Sequence, residues 1–145
     1  MPDPSSLPLP RFEGYLELRA WSPAEVRASD TGRQQYTVLA PLVYHSAKYG
    51  PIVVPPDMPT DGASIPRFAW RYIDPEDPCI LYPSIVHDYL YSVGGTLPGG
   101  EVFTREQADD ILVEAMAHAG ARWDQRVAVR GAVRLFGAAH WGKGG

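Results

Sequence analysis

The stretch His87, Asp88, Tyr89, Leu90, Tyr91 puts an imidazole, a carboxylate and two phenols into five residues. These groups move protons to and from water, and a carboxylate beside an imidazole is also a ligand type for a hard cation. On a helix His87 and Tyr91 stand four apart and share a face, while Asp88 is turned by about 100° toward the neighbouring side. A second acid follows at Asp109, within a segment whose apolar residues Ala108, Ile111, Leu112, Ala115, Met116 and Ala119 recur at helical spacings. Asp109 falls at the border of that stripe and Asp110 on the opposite side. A carboxylate at a buried border needs a partner, because leaving it unpaired is costly or forces it to protonate. Two partners are available. Arg105, one turn earlier, would make a helix latch; His87, from a packed neighbouring helix, would have its tautomer set by Asp109 and its other nitrogen left to take a proton from water. Tyr91 is then a hydrogen-bond donor supporting the pair.

The segment Thr60-Asp61-Gly62-Ala63-Ser64-Ile65-Pro66 reads as a turn at Asp61-Gly62, with Ser64 exposed and Pro66 able to open a helix. Asp61 is a candidate oxygen ligand for a divalent cation, calcium or another, shared with Asp88. Ser64 has no neighbouring base and no Gly-x-Ser-x-Gly elbow around it, so it is a poor nucleophile candidate. Further on, Arg122, Arg126, Arg130 and Arg134 recur at steps of four, with Ala128, Val129, Ala132, Val133 and Phe136 across from most of them. This basic stripe is a candidate partner-binding surface or a solvated face paired with acids. It carries no interleaved aromatics of the kind that stack on nucleic acid. Trp123 and Trp141 are expected to be packing anchors.

The elements that must position these residues fall into two halves. The first ten residues, with four prolines, form an extended arm. From Phe12 to Trp21 apolar and polar residues alternate as in a half-buried strand; Gln35 to His45 is rich in β-branched and aromatic residues and is punctuated by Pro41; Ile52 to Pro56 reads as a short edge strand. Beyond Pro66 the period changes to that of helices, expected at Arg67 to Tyr72, Leu81 to Ser92, Arg105 to Ala119 and Trp123 to His140. Thr104 with Gln107 forms a capping box for the third, and Gly120 stops it. The expected fold is α+β: one globular domain over 11–145, a small antiparallel sheet from about 12–56 packed by three or four helices from about 66–140.

Composition narrows the classes. The formal charge of -4 gives no global attraction to nucleic acid or anionic membrane. Cys79 is the lone cysteine, so no disulfide framework within the chain and no cysteine-based zinc knuckle can form. No apolar run approaches the roughly 18 residues of a membrane span, and the first ten residues lack the regions of a signal peptide. A cytoplasmic protein is expected.

In their order and spacing, Thr60 to Trp70, Val86 to Ser92, Thr104 to Met116 and Ala132 to Gly137 resemble a family carried by tailed phages and prophages, domain of unknown function 1353. The resemblance runs from about Val54 to Gly137. Its shared positions correspond to Asp61, Ala63, Ser64, Pro66, His87, Asp88, Leu90, Tyr91, Arg105, Ala108 and Asp109, and it implies a phage origin without an established activity. The His87 segment is also similar to the His-Asp-x-x-Tyr helix of secreted phospholipases A2. That similarity implies a water-activating histidine, a calcium-binding aspartate next to it, and an orienting aspartate on a second helix.

Two functions are therefore expected in competition. One is a phage-encoded hydrolase with His87 as base, Asp109 as its orienter, Tyr91 in support, and Asp88 with Asp61 on a divalent cation. The other is a noncatalytic virion or assembly component, in which the same cluster locks helices and the arm and arginine stripe dock on other phage proteins. The protein would reside in the host cytoplasm or enter the virion. A third reading, a phosphohydrolase of the His-Asp doublet type, would recruit His45 as a metal ligand.

Overall fold

A computed structural model describes residues 8–62, 74, 76–139 and 141–142. Most of the expected N-terminal arm and the short helix expected at Arg67 to Tyr72 lie outside the described residues. The class is α+β, with the strands in the first half and three long helices in the second.

The strand half divides into two antiparallel sheets. The first strand segment, expected as one piece, breaks into β1 (Arg11–Glu13) and β2 (Leu18–Ala20). Gly14 makes the break: its φ of +87° is a left-handed conformation that favours glycine, and an added Cβ would stand 3.3 Å from the Pro41 carbonyl oxygen. The alternation survives, with Tyr15 and Glu17 exposed and Leu16 and Leu18 half-buried. Pro41 separates β3 (Tyr36–Val38) from β4 (Leu42–Ser46), and β5 (Gly50–Val54) follows a short turn, then β6 (Pro59–Thr60). One sheet has the order β1-β4-β5 and the other β2-β3-β6. Pro51 is tolerated because β5 is an edge, and Pro55 follows the last residue of that strand. Between β2 and β3 lies α1 (Pro23–Ala28), which the period-two reading of this region does not anticipate.

Helix α2 (Pro78–Ser92) begins three residues before its apolar pattern, because Asp77 caps it by accepting from the Cys79 amide and Pro78 opens it. Helix α3 (Arg105–Ala119) has the expected bounds, with the Thr104–Gln107 capping box at one end and Gly120 at φ +100° at the other. Helix α4 (Trp123–Phe136) is shorter than expected and tightens into a 3-10 turn at Gly137–Ala139.

The core follows from these faces. Val38, Leu42, Tyr44, Ile52 and Val54 meet Ile85, Val86 and Leu90 of α2 and Ile111 and Ala115 of α3. A second cluster of Ile80, Leu112, Met116, Ala121 and Val129 joins α2, α3 and α4. Trp141 packs edge-on to Tyr91, whereas Trp123, in the first turn of α4, is 71% exposed and not the buried anchor expected of it.

Candidate functional site

Asp109, wholly buried on α3, is the centre of a cluster drawn from three helices. Its Oδ1 bonds His87 Nε2 at 2.8 Å and accepts from the Tyr91 hydroxyl at 2.7 Å. The one-turn spacing of His87 and Tyr91 on α2 makes this shared acceptor possible, and their rings lie 4.3 Å apart. Arg105 does not bridge to Asp109 by a hydrogen bond. Its Nε donates to the Tyr91 oxygen at 3.2 Å, and its Nη2 donates to the carbonyls of Val133 at 3.0 Å and Arg134 at 2.8 Å, near the end of α4. Asp109 Oδ2 is buried without a hydrogen bond and faces Arg134 Nε at 3.5 Å.

Burial pulls the Asp109 carboxyl upward, but the bonds from His87 and Tyr91 and the charges of His87 and Arg105 outweigh it, so it stays below the ordinary carboxylate value. An ionised Asp109 accepts only. The His87 nitrogen that meets it must therefore carry a proton, and Nδ1 is left as the ring nitrogen that can take one up. The His87 side chain keeps 12% of its surface exposed. Tyr91 is pushed up to about 12 by burial and by Asp109, against Arg105, and so remains a donor throughout the physiological range.

A second acidic group adjoins the first. Asp88, the next residue of α2, is pushed up to about 7 by burial and by the negative charge of Asp61, against a hydrogen bond from Thr60. Strand β6 delivers these neighbours: Thr60 is buried, its Oγ1 accepts from the Gly62 amide at 3.1 Å, and Asp61 follows directly. A buried carboxylate whose proton affinity is raised by a second carboxylate beside it, with a hydroxyl close by, forms with them an oxygen-only set that suits a hard divalent cation. Among the described residues no three histidine, cysteine or carboxylate side chains form a ready ligand set, so backbone carbonyls or water would complete the coordination. Ala63, Ser64 and Pro66 lie outside the described residues.

The four arginines of the stripe do not act alike. Arg122 pairs with Asp124 at 3.1 Å and Arg130 with Asp110 at 3.1 Å, both at the surface, while Arg134 turns to Asp109. Arg126 has a buried Nε without a hydrogen-bond partner. His45 bonds Glu13 across β1 and β4 at 3.2 Å. Sequence reasoning missed Thr60, the turn of Arg134 toward Asp109 and the link from Arg105 to α4. For Thr60 its place before an Asp-Gly turn was a usable signal; the α4 contacts depend on helix packing that no local pattern encodes.

The family model described as Protein of unknown function (DUF1353) matches residues 36–133. No curated protein and no solved structure matches the chain. The matched span covers more than half of the sequence and contains Asp61, His87, Asp88, Tyr91, Arg105 and Asp109, and the chain belongs to the domain of unknown function 1353 family.

Proposed function

We propose that this protein is a phage-encoded, metal-assisted hydrolase in which His87 takes a proton from water through Nδ1, Asp109 fixes the ring through Nε2, and Tyr91 holds Asp109 in place. One observation carries the reading: a single buried carboxylate oxygen receives both the imidazole and the phenol of the same helix face. This preorganises the base and stabilises the imidazolium that forms on proton transfer. Asp88 and Asp61 would hold the divalent cation, whose contribution is to polarise the carbonyl or phosphoryl group under attack. A histidine and a tyrosine on one helix meeting an aspartate of the next support the reading.

The test is hydrolysis of carboxylic-ester, phospholipid and phosphodiester probes with calcium, magnesium or manganese present. His87→Asn is expected to lower turnover by about a hundredfold or more while the far-UV circular dichroism stays unchanged. Equal turnover in wild type and variant would sink the proposal.

A second reading is favoured by the Arg105 bonds to α4: the cluster is a latch in a virion or assembly component. On that reading no probe is turned over, His87→Asn lowers stability by about 1–3 kcal/mol, and the protein sediments with phage particles.

A further inference from the structure

Helix α4 ends at Gly137 in ordinary right-handed helical geometry, φ -72° and ψ -26°. Nothing in the backbone there requires glycine, and alanine is the better helix former. Space is what distinguishes the position. A Cβ on Gly137 would stand 2.7 Å from the Tyr91 hydroxyl oxygen, 3.0 Å from Cε2 and 3.2 Å from Cζ. A ring end on a loose side chain could swing away at little cost, but this one is held. Its hydroxyl donates to Asp109 at 2.7 Å and accepts from Arg105 at 3.2 Å, Trp141 lies edge-on with ring centres 5.0 Å apart, and the Tyr91 carbonyl accepts from the Gly142 amide at 2.7 Å. Arg105 also grips the carbonyls of Val133 and Arg134, so the end of α4 is tied to the ring that it touches.

We propose that Gly137 is a positioning residue: its missing side chain lets α4 close over Tyr91 and keep the hydroxyl on Asp109, which in turn keeps His87 oriented. The proposal deepens the hydrolase reading and rests on it. Arg105 is the second positioning residue, acting through Tyr91 and the α4 carbonyls together. An added methyl group at 137 must push the ring, and the ring cannot move without lengthening its bond to Asp109.

The test is a double-mutant cycle on the full chain. Gly137→Ala is expected to lower the melting temperature in the native background. In the Tyr91→Phe background, where the nearest clashing atom is gone, the same substitution is expected to be neutral or to raise it. Proton NMR supplies a local readout: the buried Tyr91 hydroxyl proton is expected to be protected from exchange in the native chain and to disappear or move upfield in Gly137→Ala, while the folded amide spectrum persists. If Gly137→Ala does not fold, the double variant is expected to recover the fold. A retained hydroxyl resonance, or a double variant no better than the single, would overturn the proposal. These resonances report on Gly137 without any substrate, whereas turnover by His87→Asn tests the hydrolase reading alone, so the two fail separately.

Discussion

At the scale of single residues, Asp88 is where solution conditions should act most visibly. Burial and the charge of Asp61 push its folded carboxyl up to about 7, whereas an unfolded aspartate has a value of about 3.9. Because the folded value is the higher one, protonated Asp88 favours the folded state fully below about pH 4, and that advantage is lost as pH rises toward 7. Asp88→Asn removes the titration. The variant is expected to gain melting temperature relative to wild type as pH rises from 4 to 7, with the difference level above 7; parallel curves would show that Asp88 is not under this strain. A bound cation favours the ionised form, so thermal stabilisation by calcium should be larger at pH 8 than at pH 5 and absent in Asp88→Asn.

At the scale of elements, the readable parts are those governed by neighbours in sequence. Thr104 and Gln107 mark the start of α3 because the cap is made within four residues, and Pro41 divides two strands because its ring removes a donor. Asp109 stood out for a similar local reason, a charge at the border of an apolar stripe. Helix α1 was equally readable in principle: Ser22 and Glu25 make a reciprocal capping box, obscured by the strand-like alternation before it. The split into two sheets was not readable, since it depends on which distant strand each short segment pairs with, β1 choosing β4 and β2 choosing β3. Nor was the choice of Asp109 by Arg134, two helices meeting at an angle that spacing alone does not encode. The cap gives the prediction proper to this scale. Thr104→Ala should destabilise the protein by about 1 kcal/mol in urea titration, and Thr104→Ser should leave it near wild type.

At the scale of the whole molecule, the strands and helices are joined by a shared apolar core and by polar ties, among them the Tyr44 hydroxyl of β4 donating to Glu114 of α3. Burial and Glu114 both push Tyr44 upward, so it stays a neutral donor. Tyr44→Phe keeps the ring in the core and removes the tie, and should lower stability by about 0.5–1.5 kcal/mol. Tryptophan fluorescence and far-UV circular dichroism should still report one coincident urea transition, because the core spans both halves. Separate transitions would mean that the halves fold independently.

The bend at Gly14 lets one short N-terminal ribbon donate an outer strand to each sheet, β1 beside β4 and β2 beside β3. The family match starts at residue 36, after that ribbon, and stops at residue 133, before Gly137 and Trp141. Expression trimmed to those limits would thus unzip two borders simultaneously and peel the aromatic cover from Tyr91, leaving a fragment prone to stick to its own kind.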